Sequence, residues 1–72
     1  MTAPVDPGAF QSRGNRLFAE GRLVEALADF DAVIALDGGF APAHHNRGLT
    51  LDALGRWAEA VQAFDTAIAL AP

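Results

Sequence analysis

The chain repeats itself at a spacing of 34 residues: Gly21-Arg22-Leu23-Val24-Glu25-Ala26, followed by Phe30, returns as Gly55-Arg56-Trp57-Ala58-Glu59-Ala60, followed by Phe64. Laying residue 7 on residue 41 extends the match without a gap. The identical pairs are Ala9/Ala43, Arg13/Arg47, Gly14/Gly48, Leu17/Leu51, Ala19/Ala53, Gly21/Gly55, Arg22/Arg56, Glu25/Glu59, Ala26/Ala60, Phe30/Phe64, Asp31/Asp65, Ile34/Ile68, Ala35/Ala69 and Leu36/Leu70, which is 14 of 32 comparable positions. A fixed period of this size marks stacked supersecondary units, each too small to bury its apolar face alone. The offset therefore decides the architecture before any single residue does.

Within each unit the apolar residues recur at three- and four-residue steps, the period of a helix. Asp6 followed by Pro7 reads as an N-cap and first helical residue, and Phe10, Gly14, Leu17 and Phe18 carry a first helix from Pro7 to Glu20. Gly21 supplies the positive φ that ends it. A second helix runs from Leu23 to Leu36, with Leu23, Ala26, Leu27, Phe30, Val33, Ile34 and Leu36 inward and Glu25, Asp29 and Asp31 outward. Gly38-Gly39 cannot sustain it. Ala41-Pro42 opens a third helix to Leu54, Gly55 ends it, and a fourth runs from Trp57 to Leu70. Nothing alternates with period two, so the chain reads as all-α: two helix–turn–helix units at 7–40 and 41–72, after a frayed lead-in over 1–6.

Composition narrows the function classes. At 72 residues there is room for one small domain, and a chain this short is marginally stable unless something supports it. With no cysteine, neither disulfides nor a thiolate metal site can do so. The net charge is −4, and the five arginines are spread among acids rather than gathered in the basic stripe a nucleic-acid surface needs. The first residues lack the basic and apolar regions of a signal peptide, and no apolar run reaches membrane-spanning length. The expected setting is soluble and cytoplasmic, without nucleic-acid or membrane partners.

The pattern resembles the tetratricopeptide repeat family, whose units are about 34 residues long and place small and large residues at set positions. Gly14 and Gly48 match the family's small residue in the first helix, and Leu17 and Leu51 match the large residue one turn later. Ala26 and Ala60 match the small residue where the two helices touch, Phe30 and Phe64 the aromatic of the second helix, and Pro72 the closing proline. The resemblance covers residues 7 to 72. Phe10 and His44 stand in place of the usual Trp, Arg13 and Arg47 in place of Leu, and Val33 in place of Ala. Gly38 replaces the first closing proline, which loosens the junction between repeats into a hinge. The resemblance implies a right-handed superhelical array of four helices, and a non-enzymatic protein-interaction module or scaffold.

Candidate chemistry is sparse. Adjacent helical residues point about 100° apart, so His44 and His45 do not chelate one ion, and no further His or Cys completes a site. His44 is expected to pack in the repeat and His45 to face the groove. Ser12 and Thr50 read as lone solvated hydroxyls, and Trp57 as a core or turn-packing residue. No nucleophile–base pair or phosphate loop is present, so neither a cofactor nor a metal is expected. In the resembled family, the first helix of each repeat lines a concave face that takes peptides. The matching residues here are Gln11, Ser12, Asn15, Phe18 and Ala19, then His45, Asn46, Leu49, Asp52 and Ala53. Asn15 and Asn46 carry most of the interest, because an amide both donates to and accepts from a peptide backbone. They also fall on the two Asn positions of carboxylate-binding members of the family. Gln11, however, stands where that clamp has Lys, and its last basic residues belong to a third repeat.

The last helix poses a separate question. Residue 72 arrives before any polar capping helix, and arrays usually need about three repeats or a cap. Val61, Phe64, Ile68 and Leu70 should then offer an exposed apolar face. It would be covered in a longer array or multidomain protein, an enzyme among the options, or by self-association of the chain into a homo-oligomer.

Overall fold

The computed structural model describes residues 6–72. The lead-in expected over Met1–Val5 lies outside the described residues. Four helices follow one another: α1 (Pro7–Ala19), α2 (Leu23–Leu36), α3 (Ala41–Ala53) and α4 (Trp57–Leu70). α1 packs along α2 and α3 along α4, forming two hairpins, and α2 packs on α3 to join them. α1 and α3 also approach each other, whereas the backbone of α4 comes close to that of α3 alone.

The helix ends follow from a few residues. Asp6 caps α1, its carboxylate accepting from the Gly8 N–H at 2.9 Å. α1 and α3 each end one residue earlier than the sequence suggests, because Glu20 and Leu54 are C-caps. Both then close in the same way. The Gly21 N–H donates to the Phe18 carbonyl and the Arg22 N–H to the Leu17 carbonyl; Gly55 to Asp52 and Arg56 to Leu51 repeat the pattern. This double bond pattern needs a left-handed residue, and Gly21 and Gly55 have φ of 77° and 78°. α2 and α4 start without a side-chain cap. Their first-turn acids, Glu25 and Glu59, instead favour the positive helix end and pair with Arg22 and Arg56. Hydrogen bonding from Arg56 holds the Glu59 carboxyl below its ordinary value.

The core is built of small residues meeting large ones. Ala26 and Ala60 are buried where the helices of each hairpin touch. Gly14 and Gly48 admit the rings of Phe30 and Phe64: a Cβ at either glycine would stand 2.7 Å from a ring carbon. Leu17, Ala26 and Phe30 form one cluster. Leu27, Leu51, Ala60 and Ala63 form a second, to which α2, α3 and α4 all contribute.

The junction between the hairpins is tied rather than loose. The Asp37 carboxylate accepts from the Gly39 N–H at 3.3 Å, and the Asp37 carbonyl accepts from the Phe40 N–H at 3.1 Å. His44 Nε2 hydrogen-bonds the Gly38 carbonyl at 2.8 Å. His44 is therefore half-buried and tied to the junction.

Three further expectations change. Asp29, read as outward and solvated, is buried and takes a bidentate pair of 2.7 Å bonds from Arg13. Thr50, read as a solvated hydroxyl, is fully buried and donates to the Asn46 carbonyl four residues back, which satisfies it within its own helix. Trp57, read as a packing residue, is 69% exposed, while its counterpart Leu23 is half-buried.

Candidate binding surface

The residues expected to line a groove come from one face of α1 and one face of α3. Asn15 and Phe18 are three apart on α1; Asn46, Leu49 and Asp52 follow at the same step on α3, and residues so spaced are neighbours on a helix surface. The two faces meet at a polar contact. Asn46 Nδ2 donates to Asn15 Oδ1 at 2.9 Å. That bond uses one donor of Asn46 and one lone pair of Asn15, so the Asn15 amide N–H groups and the Asn46 carbonyl remain for another molecule. Leu49 and Asp52 are exposed, and Phe18 is half-buried against the Leu17, Ala26 and Phe30 cluster. Ser12, Ala19 and Ala53 are also exposed.

Gln11 and His45 occupy the same position in the two repeats but have different surroundings. Gln11 is half-buried, and its Oε1 is buried without a hydrogen-bond partner. His45 is exposed and lies 5.7 Å from the Phe64 ring, tilted at 57°. It lines a shallow, largely apolar depression with Ala41, Pro42, Asn46, Ala67 and Ile68. Asn46 thus borders both the amide contact and the depression. Ala41 and Pro42 read in the sequence only as the start of a helix, and Ala67 only as an inward residue of the fourth, so none was named as part of a binding surface. His44 and His45 turn to different partners, Gly38 and Phe64. Among the described residues no three His, Cys, Asp or Glu side chains come together as a metal site would require.

The arginines of the first helices are committed to structure. Arg13 pairs with Asp29 inside its own repeat and sits 5.5 Å over the Phe10 ring. Its pKa is raised further by its hydrogen bonds to Asp29. Arg47, its counterpart, reaches back to Asp31 of the preceding repeat at 2.7 Å, because Ala63 stands where Asp29 would. The four residues expected on the outer face of α4 differ in degree. Val61 and Ile68 are 57% and 63% exposed, Phe64 is half-buried by its contact with Gly48 and His45, and Leu70 is 43% exposed. Leu36, the counterpart of Leu70, is 44% exposed although another repeat follows it. Leu70 is therefore exposed by its place in the repeat, not by an uncovered end.

These features define a class: stacked antiparallel helical hairpins at a 34-residue spacing, with small residues at the helix crossings. Comparison with family models matches residues 41–72 to the tetratricopeptide repeat. The second hairpin thus matches that family, and the first, identical to it at 14 of 32 positions, is consistent with a second tandem repeat. A comparison with curated proteins returned no match. Repeats of this family are non-enzymatic modules that generally mediate protein–protein interaction. Among the described residues no helix is long and apolar enough to cross a membrane.

Proposed function

We propose that the face shared by α1 and α3 binds a segment of a protein partner, with Asn15 and Asn46 engaging its backbone and Gln11, Phe18, His45, Leu49 and Asp52 bordering it. The observation behind this reading is the 2.9 Å bond between Asn46 and Asn15, which fixes two amides from different repeats at one place on the surface. Each keeps a group free to pair with a peptide N–H or C=O, and backbone pairing of this kind tolerates varied side chains. No lysine or arginine lies among the seven, so the surface suits the interior of a peptide better than a terminal carboxylate.

The test begins with peptides selected on the intact chain from a displayed library. Replacing both residues, Asn15→Ala with Asn46→Ala, is expected to weaken the selected peptides about tenfold, the effect of losing one or two hydrogen bonds. Unchanged affinity in a variant with undiminished helicity would overturn the assignment.

A further inference from the structure

The surface shared by α1 and α3 changes character along its length. At one point it carries the bonded amides of Asn15 and Asn46. Three residues on along each helix it is apolar: Phe18 is half-buried and Leu49 is 40% exposed. Three residues further along α3 stands Asp52, exposed. Residues so spaced are neighbours on a helix, and Asp52 lies about 9 Å further along the axis than Asn46. An extended segment advances about 3.3 Å per residue. It therefore reaches Asp52 about three positions after it leaves the amides.

Asp52 is set apart by what it lacks. Among the described residues, Glu20, Glu25, Asp29, Asp31 and Glu59 pair with arginines, and Asp6 and Asp37 accept backbone N–H groups. Only Asp52 and Asp65 have neither kind of partner, and Asp65 belongs to α4. Asp52 is thus the one uncommitted carboxylate of this face, and the net charge of −4 draws cationic segments towards the chain. We propose that the face binds an extended basic segment of a separate protein. The backbone of that segment lies on Asn15 and Asn46, an apolar side chain rests on Phe18 and Leu49, and a lysine or arginine about three positions from the amide contact pairs with Asp52. The inference rests on the peptide-binding reading of this face and adds the chemistry of what it binds.

A second copy of the chain does not supply the cation. All five arginines are already paired with carboxylates of their own chain, and the sequence has no lysine. A further segment of the same protein, folded permanently onto the face, would call for the more apolar surface of an obligate interface. This face instead presents amides and a carboxylate to water, as suits a partner that comes and goes.

The test selects short random displayed peptides on the intact chain and, in parallel, on Asp52→Arg. The unaltered chain should enrich lysine or arginine at one position, with an apolar residue nearby, and Asp52→Arg should enrich aspartate or glutamate there instead. Asp52→Asn should weaken the basic peptides about fivefold at low salt and less as salt rises, the size of an exposed ion pair. Peptides with the basic residue replaced by alanine should bind the two chains alike. The Asp52 side chain has no hydrogen-bonding or ionic partner in the fold, so helicity should persist in both variants. Selected peptides without a basic residue, or with affinities indifferent to Asp52, overturn the proposal. If such peptides still weaken in the Asn15→Ala, Asn46→Ala chain, the peptide-binding reading stands without it. An empty selection, or peptides indifferent to Asp52 and to the two amides alike, overturns both. A mass that rises with concentration in sedimentation, and falls back in Asp52→Asn, makes a second copy the occupant and overturns the choice of a separate protein.

Discussion

Phe30 and Phe64 hold the same place in their hairpins and press on equivalent glycines, yet Phe30 is 1% exposed and Phe64 is only half-buried. The difference lies outside the hairpins. α3 packs on the far side of α2, and none of the described helices does this for α4. The repeat supplies the socket and the following helix supplies the lid, so identical residues contribute unequally to stability. The arginines teach the same lesson from the other end. Arg13 finds its acid within its own repeat, and Arg47 finds one in the repeat before it.

Paired substitutions sharpen or break this comparison. The largest difference should come from the aromatics. Phe30→Ala should cost about 3–5 kcal/mol, as truncation of a fully buried aromatic does. Phe64→Ala should cost less, about 2–4 kcal/mol, in proportion to the smaller area it hides. Urea unfolding followed by circular dichroism measures both, and equal losses would remove the role given to α3 as cover.

The glycines come next. A Cβ at Gly14 or Gly48 would stand 2.7 Å from the facing ring. Phe30 is enclosed and cannot yield, so Gly14→Ala should overpack the hairpin by about 1–3 kcal/mol. Phe64 has open space on its far side, and Gly48→Ala should cost less than about 1 kcal/mol. Thermal midpoints of the two variants should separate accordingly.

The arginines should differ less. Arg13→Gln strips a buried carboxylate of two hydrogen bonds and should lower the unfolding midpoint, though Arg13 itself is half in solvent. Arg47→Gln loses an exposed single contact and should cost below about 1 kcal/mol. A smaller effect still is expected with pH. Arg56 holds the Glu59 carboxyl below its ordinary value of 4.5. The contribution of that pair is present above this pH and is lost as the pH falls through the lowered value. Glu59→Gln should therefore narrow the gap between stability at neutral pH and stability in acid, read from unfolding curves at each pH.

The repeat offset made the helices legible to within one residue at their ends, because glycine and capping chemistry are local. It also placed Ala26, Ala60, Gly14 and Gly48 at the helix contacts. What escaped the sequence were relations between positions that are not equivalent. Asp29 has Ala63 as its counterpart, so nothing in the repeat marks it as buried or tied to Arg13. Thr50 faces Arg16 in the alignment, and its burial depends on a neighbour that α1 lacks. The bond between Asn15 and Asn46 joins positions whose repeat partners are Leu49 and Ser12, so comparing one repeat with the other cannot reveal it. The residues of the candidate surface were nameable in advance, but their meeting point was not.

That each helix lies mainly against its neighbours in the chain also bears on how the protein reaches its native state. α1 meets α2, α2 meets α3 and α3 meets α4, with only the brief approach of α1 to α3 across a longer separation. The loops that must close are short, so little chain entropy is lost before contacts repay it. Folding should be fast, on the microsecond-to-millisecond scale of helical chains rich in local contacts. Hydrogen exchange should not be uniform. α4, anchored along a single helix, should open and exchange first, while the amides of α2 and α3, held from both sides, should be the last to give up their protons.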